Sequence, residues 1–219
     1  MPLDLSSQLG AVTRAVTNRI HEGRPANVVI ASRTYDTTVE DLWDALTSKE
    51  RIPRWFLPVS GDLRLGGRYQ LEGNAGGTIT RCEPPRRVAM TWEYGGKMSW
   101  VDVKLDATPD GRAHLELEHI APSPDEHWDQ FGAGAAGVGW DMALAGLGWH
   151  LATRQSADPA EAMAWLGSEE GKSFVRRSSD DWCRASIAGG TDASAATAAA
   201  ARTTAAYTGE AMPAEHGAG

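Results

Sequence analysis

"GDLRLGGRYQLEGNAGGTITRCEPPRRVAMTWEY", residues 61–94, decides the fold class. Glycine and proline pairs cut it into segments only six or seven residues long. Gly66-Gly67 and Gly76-Gly77 read as turn pairs, and Pro84-Pro85 ends a strand because proline brings no backbone donor to a ladder. Segments this short suit antiparallel hairpins and leave no room for helical crossovers. Two further strands follow at "KMSWVDVKLDA" (97–107) and "AHLELEHIA" (113–121), joined by the turn "TPDG". Leu115 and Leu117 alternate with Glu116 and Glu118, the pattern of a sheet that is wet on one face.

Working outward, "VVIASRTYD" (28–36) is rich in β-branched and aromatic residues and reads as a strand. "TTVEDLWDAL" follows as a helix capped by Thr37 or Thr38, with Val39, Leu42, Trp43 and Leu46 on one face and Glu40 and Asp41 in its first turn. "SKERIPRWFLP" gives a short helical turn that stops before Pro58. Nearer the N-terminus, Leu5, Leu9, Val12, Val16 and Ile20 fall at steps of four, three, four and four. That spacing predicts an amphipathic helix over 4–20, ended by "EGRPAN", and its apolar face is a candidate dimerisation surface.

After residue 121 the period changes. Trp140, Leu144, Leu147 and Leu151 share a helix face, so a long helix is expected over roughly 138–154. Gly132, Gly134, Gly137 and Gly139 each disfavour helix by ~1 kcal/mol relative to alanine, which places loop or frayed helix before Trp140. Beyond 157, "DPAEAMAWLG" and "SEEGKSFVRRSSDDWCRASIAGG" read as helices. The second is capped by Ser168 and has Phe174, Trp182 and Ile187 on its apolar side. "TDASAATAAAARTTAAYTG" is a third helix, capped by Thr191 or Asp192 and stopped by Gly209. The expected organisation is an N-terminal helix (1–24), a sheet-and-helix domain (25–156), a helical extension (157–209) and a disordered tail (210–219).

The order strand, two short helices, six antiparallel strands, long helix is that of an α+β fold in which a curved sheet grips one helix. "SRTYDTTVEDLWDAL", "RWFLPVSGDLRLGGRY", "GGTITRCEPPRRVAMTW" and "GWDMALAGLGWHL" carry a resemblance to the SRPBCC (START-like) superfamily, whose helix-grip fold is shared with the birch-pollen allergen. Within it the chain resembles the heat-shock protein 90 ATPase activator homologue-like family over about residues 28–155. The resemblance implies a deep apolar cavity between sheet and helix. The small residues Gly139, Ala143 and Gly146 on the helix are read as leaving that space open. The N-terminal helix and the extension look like additions of a bacterial subgroup.

Composition narrows the function. Net charge is −8, which argues against a nucleic-acid footprint. No stretch reaches the ~18 consecutive apolar residues of a membrane span, and the N-terminus lacks the basic and apolar regions of a secretory signal. The two cysteines, Cys82 and Cys183, lie far apart and read as free thiols in a reducing cytoplasm. The six histidines never come at metal-ligand spacing, and neither a metal nor a cofactor is expected. Nucleophile-elbow, P-loop and HExxH motifs are absent, so no catalytic residue is assigned.

Parity supplies the candidate site. If Leu115 and Leu117 face inward, so does His119; Val88, Met90 and Trp92 point in from their strand, and Tyr69 and Leu71 from theirs. Trp55 and Phe56 stand where the short helices meet the cavity mouth, and Trp140 offers a ring from the long helix. Arg33 shares the inward face with Tyr35, and a buried guanidinium demands a carboxylate or an anionic ligand. His119, Trp92, Tyr69, Trp55 and Trp140 are expected around one pocket floored by Met90. A small apolar or aromatic ligand is the favoured partner. An enzyme of cyclase or hydrolase type, with His119 as acid–base and Arg33 as anion holder, is one alternative. A co-chaperone stimulating a chaperone ATPase is another, against which stands the absence of the N-terminal domain with its Asn-x-Trp-His-Trp signature.

Overall fold

A computed structural model describes residues 8–213 of the chain. Eight strands form one antiparallel sheet: β1 (Thr13–His21), β2 (Arg24–Tyr35), β3 (Val59–Gly61), β4 (Arg68–Leu71), β5 (Gly76–Glu83), β6 (Arg87–Tyr94), β7 (Lys97–Ala107) and β8 (Ala113–Pro122). Their order across the sheet is β1-β2-β8-β7-β6-β5-β4-β3. Helix α1 (Val39–Thr47) and a 3-10 turn (Ile52–Arg54) join β2 to β3. Helices α2 (Glu126–Phe131) and α3 (Gly134–Thr153) follow the sheet, and α4 (Pro159–Gly167), α5 (Glu169–Ala188) and α6 (Ala193–Thr208) complete the chain. The fold is the α+β helix grip, with the sheet curved around α3.

Alternation decides which residues build the core. Val101 and Val103 of β7 pair with His119 and Leu117 of β8, and Met90 of β6 pairs with Val101. These side chains share the concave face, where Leu117, Val101 and Val103 are buried with Leu144 and Leu147 of α3. The convex face carries the other parity. There Glu118 bridges Arg19 of β1 and Lys104 of β7, and Asp102 holds Arg87 of β6.

Three sequence expectations change. The predicted helix over 4–20 is instead strand β1 where described, paired with β2 from Thr13↔Ser32 to His21↔Arg24; Leu5 lies outside the described residues. Spacings of four are even, so Val12, Val16 and Ile20 share one face of a strand as readily as one face of a helix. The β-branched run and the turn settle it. Glu22 and Gly23 both have positive φ, 47° and 78°, the geometry of a two-residue hairpin whose twist matches the flanking strands. Val12 and Val16 are therefore buried within their own chain, while Ile20 on the same face stays exposed.

The second change concerns Gly76-Gly77, which is the start of β5 and no turn. A Cβ on Gly77 would sit 2.1 Å from the Thr91 carbonyl oxygen of the neighbouring strand.

The third is that α3 begins at Gly134, before the predicted start, and includes three of the four glycines thought to disfavour it, Gly132 instead ending α2 with a positive φ. They are there because other elements press against them. A Cβ on Gly137 would lie 2.3 Å from the Trp182 ring of α5, and one on Gly146 would lie 2.8 Å from the Trp55 carbonyl oxygen. Gly139 is likewise covered by the Tyr207 hydroxyl. Of the three small residues expected to leave the cavity open, Ala143 and Gly139 line space between sheet and helix, whereas Gly146 is closed off by the Trp55 backbone.

The extension packs on its own domain: α5 touches β1, α3 and α6. Phe174 and Trp182 of α5 are fully buried, each worth roughly 1.5–3 kcal/mol over an exposed position. Ile187, expected on the same apolar side, is 40% exposed. Asp141 of α3 ties the three layers together. Its carboxylate accepts from Arg14 Nε of β1 (3.0 Å), from Trp182 Nε1 of α5 (3.0 Å) and from the Ser178 hydroxyl. Burial pushes this carboxyl upward, and the Arg14 charge and the hydrogen bonds oppose that shift.

Asp141→Ala would leave the buried Ser178 and Trp182 donors unpaired and remove one of the two carboxylate partners of Arg14, Asp181 remaining at 3.2 Å, so we expect a loss of about 3–5 kcal/mol in urea denaturation. A loss no larger than that of a surface control would show that the network does not brace the layers. Gly137→Ala should cost about 1–3 kcal/mol through overpacking against Trp182, although alanine is the better helix former. A neutral or stabilising result would overturn that close approach.

Candidate functional site

Two cavities lie between the concave sheet and α3, and they share a wall. The inner one, about 110 Å³, is lined by Trp55, Tyr69, Leu71, Met90, Leu115 and Ala143 among other apolar side chains. The outer one, about 610 Å³, reaches the surface past Asn74, Lys97, Asp125, His127 and Tyr207. Phe56, Trp92 and Trp140 line both. His119 opens only onto the outer cavity.

The wall is a continuous aromatic run. Ring centroids are 5.4 Å apart for Trp55–Phe56, 6.4 Å for Phe56–Trp140, 5.1 Å for Trp92–Trp140 and 5.9 Å for His119–Trp140. These are stacked, tilted and edge-on arrangements, the geometries that aromatic quadrupoles favour. Each polar atom on the rings of the wall that has a partner uses it internally. Trp55 Nε1 donates to the Ala45 carbonyl at 3.0 Å. Trp140 Nε1 donates to His119 Nδ1 at 2.9 Å.

That last bond fixes the state of His119. Indole nitrogen only donates, so Nδ1 must be an unprotonated acceptor, and the ring proton sits on Nε2. Nε2 then donates to Ser99 Oγ at 2.9 Å, and the Ser99 hydroxyl donates to the Trp92 carbonyl at 3.2 Å. Burial lowers the histidine from its ordinary 6.5 to about 4. The imidazole is thus neutral, single in tautomer and engaged at both nitrogens. Its geometry positions two tryptophans and leaves no free lone pair for proton abstraction.

The sequence reading put Trp55, Phe56, Tyr69, Met90, Trp92, His119 and Trp140 around one pocket, and the structure distributes them over two adjoining ones. Arg33 does face inward with Tyr35, yet it lines neither cavity. Its guanidinium donates to the Leu144 carbonyl of α3 at 3.2 Å and to the Gln8 side chain, and it lies 4.7 Å over the Tyr35 ring. Tyr35 donates to the same carbonyl at 3.1 Å. Both residues grip the helix backbone, so Arg33 is corrected from ligand contact to helix anchor. Parity alone could not show this, because inward-facing positions serve the core along the whole strand. Of the outer-cavity residues the sequence reading missed, Lys97 and Ser99 share the inward parity of Val101 and Val103 on β7, whereas Asn74 and Tyr207 carried no signal because a loop and the distant α6 bring them in.

No helix among the described residues is long and apolar enough to cross a membrane, and no cluster of metal-ligating side chains occurs among them.

The depressed His119 value has a stability consequence. The unfolded chain takes up this proton near 6.5 and the folded chain only near 4, so stability falls as pH drops through that window. His119→Gln preserves one acceptor and one donor but does not titrate. The wild type should lose stability more steeply than this variant between pH 7 and pH 4, read as urea midpoints. Parallel curves would contradict the buried neutral state.

The family model described as Activator of Hsp90 ATPase homolog 1-like protein matches residues 36–152. The crystal structure of CalU16 from Micromonospora echinospora is 35% identical, with a TM-score of 0.65, and the match covers 80% of this chain and 98% of that one. The solution structure of the same protein gives 36% identity and a TM-score of 0.68, covering 82% and 97%. DynU16, of the dynemicin biosynthetic locus, is 18% identical with a TM-score of 0.54, covering 59% of this chain and 48% of that one, a likeness of fold. Curated proteins yield no match. With half of its length under the family model and the helix-grip architecture in place, the chain belongs to the Activator of Hsp90 ATPase homolog 1-like family of the SRPBCC superfamily.

Proposed function

We propose that this chain is a binding protein for a small, planar, mostly apolar molecule, held between the concave sheet and α3. The aromatic run from Trp55 through Phe56, Trp140 and Trp92 to His119 carries this reading. Such a wall offers faces and edges for stacking, each pair worth ~0.5–1.5 kcal/mol beyond its buried area. Tyr69 and Met90 complete the apolar interior. An apolar pocket with a few placed polar groups is the usual form of a small-molecule site.

The arrangement speaks against His119 as an acid–base catalyst, since both ring nitrogens are engaged and its anion-holding partner Arg33 lies elsewhere. The family's description favours a second reading, stimulation of a chaperone ATPase. The free thiols Cys82 and Cys183 suit a reducing cytoplasm, where either activity would operate.

Titration with 2-naphthol should change the tryptophan fluorescence saturably. Trp92→Ala should raise the Kd at least tenfold, about 1.4 kcal/mol, while the variant stays folded by circular dichroism. No saturable change with the wild type would sink the binding reading. An increased chaperone ATPase rate on adding the chain, unaffected by Trp92→Ala, would favour the other.

A further inference from the structure

The two cavities differ in chemistry along one line. Three polar groups around the inner chamber are already engaged: the Tyr69 hydroxyl donates to the Thr91 carbonyl at 2.8 Å, the Thr47 hydroxyl to the Trp43 carbonyl at 2.8 Å, and Trp55 Nε1 to Ala45. At about 110 Å³ it is somewhat smaller than the ~150 Å³ apolar cavity that stays dry and takes benzene. The outer chamber, about 610 Å³, is large enough for a fused-ring molecule, and its mouth carries the Asn74 amide, Lys97, Asp125 and His127. Between them stands a partition one side chain thick.

The three side chains of that partition are not held equally. Trp140 is pinned by its hydrogen bond to His119, and His119 by Ser99. Trp92 lies on β6, within the sheet. The Phe56 ring is held only by stacking on Trp55 and Trp140, and its backbone, with N–H bonded to the Ile52 carbonyl, sits on the irregular stretch between the 3-10 turn and β3.

We infer that the two chambers form one site for an elongated amphiphile, and that Phe56 is the leaf that turns aside to join them. This rests on the binding reading above. The ligand class is a flat, unsaturated body with an oxygen-bearing end at the mouth and an apolar tip no larger than one ring or a short alkyl chain. The body lies against Trp92 and Trp140, and the tip enters the inner chamber. Phe56 and Ala143 thereby set the length that is accepted.

A series of 2-naphthols bearing hydrogen, methyl, ethyl, propyl and hexyl at position 6 tests this on the full chain. Each carbon that enters the inner chamber should tighten binding about fourfold, and the gain should stop once the chamber is full. The propyl compound should thus bind about 60-fold tighter than the parent, and hexyl no tighter than propyl. Ala143→Leu, or Met90→Phe should the first not fold, fills the chamber and should bring the propyl-to-parent ratio near one. Phe56→Ala should keep the ratio and speed association of the propyl compound more than of the parent. A ratio unchanged by Ala143→Leu, or a gain that continues to hexyl, places the chain outside the inner chamber and overturns the inference while leaving the binding reading intact. If the parent naphthol does not bind at all, both fall.

Discussion

The buried carboxylate of Asp141 is the constraint on which the architecture turns. It lies on the side of α3 that faces away from the sheet's centre, where Arg14, Ser178 and Trp182 converge on it from β1 and α5. Removing a charge from water is costly, and only a full set of partners compensates for it. Those partners come from elements distant in sequence, so the carboxylate is satisfied only when strand, helix and extension are all in place. α3 is thus braced from behind by the extension. In front, Arg33 and Tyr35 hold the Leu144 carbonyl. Trp140, the neighbour of Asp141 in sequence, points from this fixed helix into the cavity. The position of the aromatic wall is set both by these polar contacts behind it and by the bonds its own indoles make to His119 and Ala45.

Inside the cavity the same logic runs in reverse. Buried donors and acceptors are matched with one another, so little polar chemistry is left for a guest. The chain Trp140–His119–Ser99–Trp92 uses one donor-only indole to dictate a tautomer, and the tautomer dictates the direction of the next two bonds. A histidine so arranged is a structural spacer between two rings. A binding role needs rigid apolar walls more than reactive groups, and this interior has that character.

How much of this was legible in the sequence depends on whether partners are near or far along the chain. The inward faces of β4, β6 and β8 could be read because Leu115, Leu117 and His119 alternate with glutamates that must stay wet, and one apolar pair fixes the face for its strand. The edge strand β1 misled because its apolar residues recur at even steps of four, which satisfy both periods; the Glu22-Gly23 turn was the local clue. The start of α3 misled because glycine propensity is a local quantity. Gly134, Gly137 and Gly139 are kept by Thr203, Trp182 and Tyr207, which approach only after the chain has returned through α5 and α6. The division into two chambers was beyond parity altogether. It depends on how far Phe56 and Trp140 reach across the space.

The extension does more than stabilise. Tyr207 of α6 donates to the Ala135 carbonyl at 3.0 Å, and its ring forms part of the outer chamber beside Gly139. The family model ends at residue 152, so this wall comes from outside the segment it matches. The inner chamber, by contrast, is built wholly from within that segment. A glycine at 139 is what lets the tyrosine approach, since a Cβ there would stand 3.3 Å from its hydroxyl. A glycine on the core helix and a helix that follows it in the chain act together to shape the wider cavity. The fold's shared core supplies the apolar recess, and the added helix adjusts the size and edge of the space in front of it.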